Sequence, residues 1–265
     1  MKFLIMSFPL LLLIISIQII PTSFINAQSV HKPLPVLLIH GYASDTSIWN
    51  EWKSFLDRDH IPNKLVTFAN NDPCGSAKDH AKELNKIVND FKLETGSSKI
   101  NIVAHSKGGL DARVYLANNL SNADVANLIM IGTPNKGTPI ADETAQGNQC
   151  TPAIFDFTTN SPILNVANNP NTNYDTIAGI WQPAFINNPF ISPIPIDVSG
   201  NCIDFTIFYP IMVGGHIQMS GQDDGLVPLN SAEPPQFHSL GETTKCHTNL
   251  LDENAYNLAF PILRQ

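Results

Sequence analysis

The chain has no cluster of lysines and arginines, no C-x-x-C pair and, after its first 20 residues, no apolar run long enough to cross a bilayer. The first absence argues against nucleic-acid binding, which needs a basic face. The second argues against a zinc site, because zinc-binding cysteines usually come in closely spaced pairs. The third predicts no internal membrane span. The chain also has no internal repeat, which argues against a repeat architecture.

The long apolar run lies at the N-terminus. It follows Lys2, extends from Leu4 to Ile20 and gives way to a more polar stretch that reaches Ala27. This layout is typical of a secretory signal peptide with a small residue at the cleavage point. We therefore expect residues 1–27 to be cleaved, leaving a secreted protein with no stable membrane span. The alternative is an uncleaved anchor, since the run approaches spanning length.

Removal of that segment leaves residues 28–265, a length that suits one domain. Lys2 is the only charged residue removed, so the formal net charge of −8 becomes one unit more negative. This acidity favours solubility and disfavours anionic surfaces as partners.

Four cysteines remain: Cys74, Cys150, Cys202 and Cys246. An even number in an exported chain favours disulfides. Four cysteines allow three pairings, and the sequence does not choose among them. We expect Cys74–Cys150 and Cys202–Cys246, with four buried free thiols as the alternative.

Buried strands alternate with amphipathic helices along the first half of the chain. Strands are predicted at 34–40, 64–70, 99–105 and 125–132, and helices after Asp45 or Thr46, at 76–95 and at 109–120. This order predicts right-handed βαβ crossovers and a parallel sheet. Ligands bind outside the carboxyl ends of the strands in such sheets.

The alternation breaks between residues 151 and 215, which include eight prolines and no Lys, Arg or Glu. Large apolar residues are frequent there, which argues against a solvated or disordered linker. Only residues 174–180 are typical of a sheet strand. We therefore expect two lid-like insertions, at about 138–173 and 181–215, over the carboxyl edge of the sheet. The alternative is an ordinary loop-rich extension of the core.

Regular patterns return towards the C-terminus. Residues 216–221 and 242–247 are predicted to be short strands, and the acidic turn between them leads to a short helix or loop. Apolar spacing over residues 248–260 predicts a terminal helix.

Ser106 lies between a predicted buried strand and a predicted helix, in "NIVAHSKGGLDA". The G-x-S-x-G signature of a nucleophile elbow occurs at such a junction. Ala104 stands at the position of the first glycine and adds one methyl group. A serine nucleophile needs a base, a third group that orients the base, and donors for the oxyanion.

Candidates for the base, the acid that orients it and the oxyanion donors follow other predicted strands. Their order along the chain is typical of α/β-hydrolases. The segment "GQDDGLVP" places Asp223 and Asp224 after the strand predicted at 216–221. The segment "KCHTNLL" places His247 before the terminal helix, and "LLIHGYA" follows the first strand. Each candidate therefore lies at a predicted strand-to-turn junction.

Five segments carry a resemblance to a known family: "VLLIHGYASDTSIW", "NIVAHSKGGLDARVYL", "LIMIGTPNKGTPIAD", "GQDDGLVP" and "CHTNLL". The chain resembles secreted lipases and carboxylesterases of the α/β-hydrolase superfamily, close to bacterial lipases with an A-x-S-x-G elbow. The resemblance covers about 35–137, 174–180 and 216–265. It implies a mostly parallel sheet flanked by helices, no cofactor, and acyl-lipid or small-molecule ester substrates met at an oil–water interface.

The resemblance implies Ser106 as nucleophile, Asp224 as acid and His247 as base. It further implies that the backbone N–H groups of Tyr42 and Lys107 form an oxyanion hole. Two alternatives stay open, because a fold does not define a function. One is hydrolysis of another acyl bond, as in an amide, lactone or polyester, and the other is a non-catalytic binding protein.

Asp223 is the rival acid and His216 and His238 are the rival bases. Asp224 is favoured because similar lipases place the acid directly before a GLV-like trio, which leaves Asp223 as a solvated or turn-capping carboxylate. His216 precedes the acid, which is the wrong order, and His238 lacks a strand-to-helix context. We expect both to be surface or packing residues.

Three further residues have expected roles. The resemblance implies that His40 holds the oxyanion loop, and we expect His105 to pack beneath Ser106. Lys107 opposes the helix dipole. We expect it to be solvated and to contribute only its backbone N–H group, with pairing to a carboxylate as the alternative.

Some related lipases bind calcium through an aspartate shortly after the catalytic histidine. Here Asp252 lies five residues after His247, so we expect no required metal.

Overall fold

A computed structural model describes residues 32–69, 72, 74–145, 150–186, 194–196, 202 and 208–265. The predicted signal peptide, residues 1–27, lies outside the described residues. Among the helices of the described part, none has the length and apolar character needed to cross a membrane.

The described residues form eight β-strands. They are β1 (Val36–Ile39), β2 (Asn63–Leu65), β3 (Ile100–His105), β4 (Val125–Ile131), β5 (Asn173–Gly179), β6 (Ala184–Ile186), β7 (Ile194–Ile196) and β8 (His238–Thr243). Six of them make a fully parallel sheet in the order β2-β1-β3-β4-β5-β8. The other two, β6 and β7, form a separate antiparallel pair that sequence patterning did not predict.

Eight α-helices occur in the same part of the chain. They are α1 (Asn50–Arg58), α2 (Ala77–Thr95), α3 (Lys107–Ala117), α4 (Pro139–Thr144), α5 (Thr151–Asp156), α6 (Phe208–Gln218), α7 (Leu229–Ala232) and α8 (Glu253–Leu263). The boundaries of α2 match the prediction, because Ser76 caps its first turn and Gly96 ends it with φ 67°.

Each face of the parallel sheet buries its own hydrophobic core. On one face, apolar residues of α2 and α3 pack against β1, β3 and β4. On the other, Trp49 and Trp52 pack edge to face, and Trp52 meets Tyr256 of α8 with ring centroids 5.2 Å apart. Burying side chains of this size contributes roughly 1.5–3 kcal/mol each. Helices on both faces explain why β1, β3 and most of β4 are buried along their length.

Three predicted strands are corrected by the structure. Residues 64–70 contribute only β2, which ends at Leu65. Residues 216–221 do not form a strand, because the segment up to Gln218 belongs to α6. That helix packs closely on the acidic turn: a Cβ added at Gly215 would lie 2.3 Å from the carbonyl oxygen of Gly225. This contact is tertiary, so local patterning could not reveal it.

The last strand also lies earlier than predicted. It is β8, at 238–243, rather than 242–247, and it pairs with β5 from Asp175–His238 to Gly179–Thr243. The His238 ring bonds the Asp175 carboxylate at 2.8 Å where this pairing begins. Cys246 lies three residues beyond the end of β8 and forms the disulfide with Cys202.

All four cysteines are paired as expected, in the disulfides Cys74–Cys150 and Cys202–Cys246. The first joins the segment before α2 to the start of α5, which lies in the first predicted insertion. The second joins the second predicted insertion to the residue directly before His247. Each insertion is therefore covalently tied to the body of the fold.

The strand order places a topological switch between β1 and β3, the second and third of the six strands. β1 lies between β2 and β3, so the connections on its two sides run in opposite directions. The carboxyl ends of β1 and β3 flank the crevice where open parallel sheets bind ligands. Gly41 and Ser106 follow these two strands closely.

Candidate active site

Ser106 occupies a strained turn between β3 and α3. Its φ of 54° and ψ of −129° are rare for a residue other than glycine. The turn is held because Ser106 N–H donates to the Ile131 carbonyl at 2.9 Å and Gly109 N–H donates to the Ser106 carbonyl at 3.1 Å. The surrounding strand and helix therefore stabilise a conformation that exposes the serine hydroxyl at the sheet edge.

Two glycines allow other backbone segments to approach this turn. A Cβ at Gly41 would lie 2.8 Å from the Ser106 Cβ, so the loop after β1 passes directly beside the serine. A Cβ at Gly108 would lie 2.4 Å from the His40 carbonyl oxygen. Larger residues at either position would push the loop away from the serine. Ala104 is fully buried in the core, where its methyl group is accommodated.

The structure brings Ser106, His247 and Asp224 into one hydrogen-bonded line. His247 Nε2 lies 2.9 Å from Ser106 Oγ, and His247 Nδ1 lies 2.7 Å from Asp224 Oδ2. The imidazole and the carboxylate are almost completely buried. Such a line is the geometry in which a histidine can accept the serine proton while a carboxylate orients the ring.

Asp224 is held by more than His247. Its Oδ1 accepts from Leu226 N–H at 3.0 Å and from Val227 N–H at 2.7 Å. Its own carbonyl accepts from His247 N–H at 2.8 Å. The acid and the histidine are therefore joined through both side chain and backbone, which limits the orientations that the imidazole can adopt.

Two other histidines support the site. His105 Nε2–H donates to the His247 carbonyl at 3.1 Å, and burial, aided by the His247 ring nearby, lowers the pKa of His105 to about 3. His40 bonds the Gly41 carbonyl at 3.0 Å through Nδ1, and burial lowers its pKa. Both rings are therefore neutral packing and positioning groups near the serine.

The rival acid and bases lie apart from this line. Asp223 is completely buried, so it is not solvated; it accepts from Gly225 N–H at 2.8 Å, as expected for a turn cap. His216 lies on α6 and its Nδ1 is 3.0 Å from both oxygens of Asp223. Burial raises the pKa of Asp223, which His216 partly offsets. His238 contacts Asp175, and its ring is largely exposed.

Lys107 is buried, so the expectation of a solvated lysine is wrong. Its Nζ donates to Asp111 Oδ1 at 2.5 Å and lies 3.8 Å from Asp156 Oδ2. His80 Nδ1 lies 2.8 Å from the other Asp111 oxygen. The expected alternative, pairing with a carboxylate, is therefore confirmed. The i,i+4 spacing of Lys107 and Asp111 was a signal for that pair, whereas no sequence pattern indicated His80 or Asp156.

A cavity of about 750 Å³ opens at Ser106 and His247. Its wall is mostly apolar and includes residues from both predicted insertions: Ile140, Ala141, Ile154 and Phe157 from the first and Ile211 from the second. Tyr42, in the loop after β1, lines the cavity and meets Phe157 edge to face at 5.6 Å. This volume suits an apolar ligand chain.

Asp252, considered above as a metal ligand, caps α8. Its Oδ1 accepts from Ala255 N–H at 3.0 Å and its Oδ2 accepts from the Asn254 side chain at 3.0 Å. Within the described ranges, no three His, Cys, Asp or Glu side chains are grouped so as to hold a metal ion. That no metal is required stays a prediction.

The sheet, its switch point and the Ser–His–Asp line are those of an α/β-hydrolase fold. The solved structure of a Bacillus licheniformis lipase in its mature form matches with a TM-score of 0.69 at 20% identity, covering 88% of this chain and 93% of that one. A metagenomic carboxyl esterase matches with a TM-score of 0.65 at 16% identity, covering 88% and 75% of the two chains. At these identities the likeness concerns the fold.

The chain belongs to the DUF7379 family, a domain of unknown function, which matches residues 21–182. It is also 25% identical over 157 residues to triacylglycerol lipases of Pseudarthrobacter phenanthrenivorans and Burkholderia plantarii. The match covers 55% of this chain but only 49% and 43% of those proteins. The chain thus spans less than half the length of these curated relatives. It is a relative of lipases and esterases with the α/β-hydrolase fold.

Proposed function

We propose that the protein is a secreted serine ester hydrolase that cleaves acyl-lipid esters through an acyl-enzyme. The observation that carries this proposal is the line from Ser106 Oγ to His247 Nε2 at 2.9 Å and from His247 Nδ1 to Asp224 Oδ2 at 2.7 Å. This line opens into an apolar cavity, where an ester carbonyl can approach the serine.

In the first step, Ser106 Oγ attacks the ester carbonyl carbon and His247 Nε2 accepts the hydroxyl proton. Asp224 accepts the Nδ1 proton in a hydrogen bond, so it selects the tautomer whose Nε2 is free to act as base. The same carboxylate stabilises the imidazolium that forms. His247 then donates its proton to the departing alcohol, and Ser106 carries the acyl group.

In the second step, water attacks the acyl carbonyl and His247 accepts its proton. His247 then donates this proton to Ser106 Oγ as the bond between serine and acyl group breaks and the carboxylic acid leaves. The negative charge on the carbonyl oxygen is stabilised by the backbone N–H groups of Tyr42 and Lys107. These residues follow β1 and β3, whose carboxyl ends are adjacent in the sheet. Loss of one such donor typically raises the barrier by about 3–4 kcal/mol.

The apolar wall favours an acyl chain over a small polar ester. Apolar residues from α4, α5 and α6 line the cavity at the serine, which supports a lid-like role for the two insertions. Lipases among the relatives are consistent with this substrate class. Secretion is supported by the two disulfides, which persist in oxidising compartments.

The test combines covalent labelling with substrate profiling of the purified chain. A fluorophosphonate should label wild-type protein at Ser106 and leave Ser106→Ala unlabelled. A p-nitrophenyl ester series and a triglyceride emulsion should give turnover that rises with acyl chain length. Turnover limited to short soluble esters would point to a plain carboxylesterase, and labelling without any ester turnover to another acyl bond. No labelling of folded protein would contradict the proposal.

A further inference from the structure

The buried charges around Lys107 connect three helices that surround the candidate site. Lys107 and Asp111 lie on α3, directly after Ser106; His80 lies on α2; and Asp156 is the last residue of α5. All four are buried. Asp156 has two partners: it accepts from Ala77 N–H, at the start of α2, at 2.5 Å, and it lies 3.8 Å from Lys107 Nζ.

Asp156 therefore fastens the C-terminal end of α5 to the helix that begins at the serine. The other end of α5 is tied down by the Cys74–Cys150 disulfide. A six-residue helix with both ends held has little freedom to shift. The residues close to Asp156 in this segment, Ile154 and Phe157, form part of the cavity wall.

Phe157, the residue after α5, contacts the loop that follows β1. Its ring packs edge to face against Tyr42, and its carbonyl accepts from Thr138 N–H at 2.9 Å. The two proposed oxyanion donors, the N–H groups of Tyr42 and Lys107, thus belong to residues that contact the same short segment. One contact is apolar, through Phe157, and the other is electrostatic, through Asp156.

We propose that Asp156 is a positioning residue for the oxyanion hole: through Lys107 on one side and Phe157 on the other, it holds the loop of Tyr42 in register with the start of α3. This proposal rests on the proposed ester hydrolysis. Asp156 does not touch substrate, so its removal should lower kcat more than it changes KM. A donor displaced by a fraction of an ångström stabilises the transition state less, whereas ground-state binding is little affected.

Electrostatics provides a readout that separates positioning from stabilisation of the fold. Burial raises the pKa of Asp156 to about 6, although the Ala77 N–H group and the Lys107 ammonium counteract this and Asp111 adds to it. The other charged or titratable neighbour is His80. A carboxyl whose pKa is higher in the folded than in the unfolded state contributes stability at low pH and loses it as pH rises through 6. The thermal midpoint of Asp156→Asn, taken relative to that of wild type at the same pH, should therefore rise as the pH is raised from 4 to 8.

The experiment compares Asp156→Asn with Asp142→Asn, an exposed aspartate of the same insertion whose carboxylate accepts from the backbone N–H and the hydroxyl of Thr159. Kinetics with p-nitrophenyl acetate, a substrate too short to fill the cavity, are normalised to active sites titrated with a fluorophosphonate. We expect kcat of Asp156→Asn to fall about tenfold with KM within threefold, and Asp142→Asn to match wild type.

Phe157→Leu tests whether the position of α5 reaches the loop of Tyr42 through the Phe157 ring. This variant remains informative if Asp156→Asn does not fold. It should lower kcat by a similar factor, and the double variant should lose no more than Phe157→Leu alone, because both changes interrupt one path. The proposal would be overturned if kcat per active site were unchanged in Asp156→Asn or in Phe157→Leu. Fully additive losses in the double variant would overturn it as well. Wild-type protein that neither hydrolyses esters nor takes the label would instead refute the proposed function.

Discussion

Cys246 is bonded to Cys202 and immediately precedes His247, so the second insertion is covalently attached to the candidate base. In the same segment, the His247 N–H group donates a hydrogen bond to the Asp224 carbonyl. The position of the imidazole therefore depends on a covalent bond as well as on its hydrogen bonds to Ser106 and Asp224.

Replacement of this disulfide, in the double variant Cys202→Ser and Cys246→Ser, should lower both stability and kcat. Each disulfide is expected to contribute about 2–4 kcal/mol to the free energy of unfolding. The matched control is Cys74→Ser with Cys150→Ser, which opens the longer loop of 76 rather than 44 residues. It should lose at least as much stability but less activity per folded molecule, because Asp156 still fastens the other end of α5. The folded fraction of each sample is determined by urea unfolding. If both double variants lose the same kcat per folded molecule, Cys246 has no special role.

Ser106→Ala should abolish ester hydrolysis and leave the fold intact. Loss of a serine nucleophile typically costs at least about 10⁴-fold in kcat, because only oxyanion and binding effects remain. Alanine retains the Cβ that packs against Gly41, so the thermal midpoint should change by no more than a few degrees. Circular dichroism and p-nitrophenyl ester kinetics check both points. Substantial residual turnover would identify another nucleophile.

Asp224→Asn and Asp223→Asn should separate the acid from its neighbour. The amide introduced by Asp224→Asn cannot hold the His247 tautomer that leaves Nε2 free, so kcat should fall by about 10⁴-fold. Asp223 instead bonds Gly225 N–H and His216, so Asp223→Asn should weaken the attachment of α6 and lower the thermal midpoint. Its kcat should stay within about tenfold of wild type at saturating substrate. The reverse order of effects would make Asp223 the acid.

The contribution of His105 to stability should decline as pH falls from about 6.5 towards 3. The pKa of His105 is lowered to about 3 by burial, whereas an unfolded histidine titrates near 6.5. Between these values the unfolded chain binds a proton that the folded chain does not, so acid favours unfolding. His105→Gln should flatten this decline in denaturant titrations. His60→Asn is the control, since His60 is exposed and asparagine tolerates its φ of 55°. An unchanged acid slope in His105→Gln would contradict the prediction.

Local chemistry was enough to predict much of the fold. The predominantly apolar segments at β1, β3 and β4 predicted buried parallel strands, which is the pattern expected when helices cover both faces of a sheet. Gly96 marked the C-terminal end of α2, where the structure also ends the helix. The segments around Ser106, Asp224 and His247 resembled a known family through their sequence motifs, although Asp224 follows α6 rather than a strand.

Local patterning failed where distant contacts determine the structure. Residues 216–218 have the composition of a strand, yet they belong to α6 because Gly215 lets that helix pack against Gly225. The last strand is β8, at 238–243, and its position is set by pairing with β5, which is distant in sequence. Both errors lie next to the insertions, whose positions depend on contacts with residues far away in sequence.

By itself, the sequence determined the order of strands and helices in the first half of the chain, the residue types available for catalysis and the glycines that a tight site requires. Only the tertiary structure decided that Lys107 is buried, that Asp111, His80 and Asp156 surround it, and that α5 therefore sits against the start of α3. Burial of a charge depends on which partners meet it, and the segments that supply these partners are joined by bonds spanning up to 79 residues of sequence. No local pattern contains that information, because each charge is tolerated inside the protein only when the others are present.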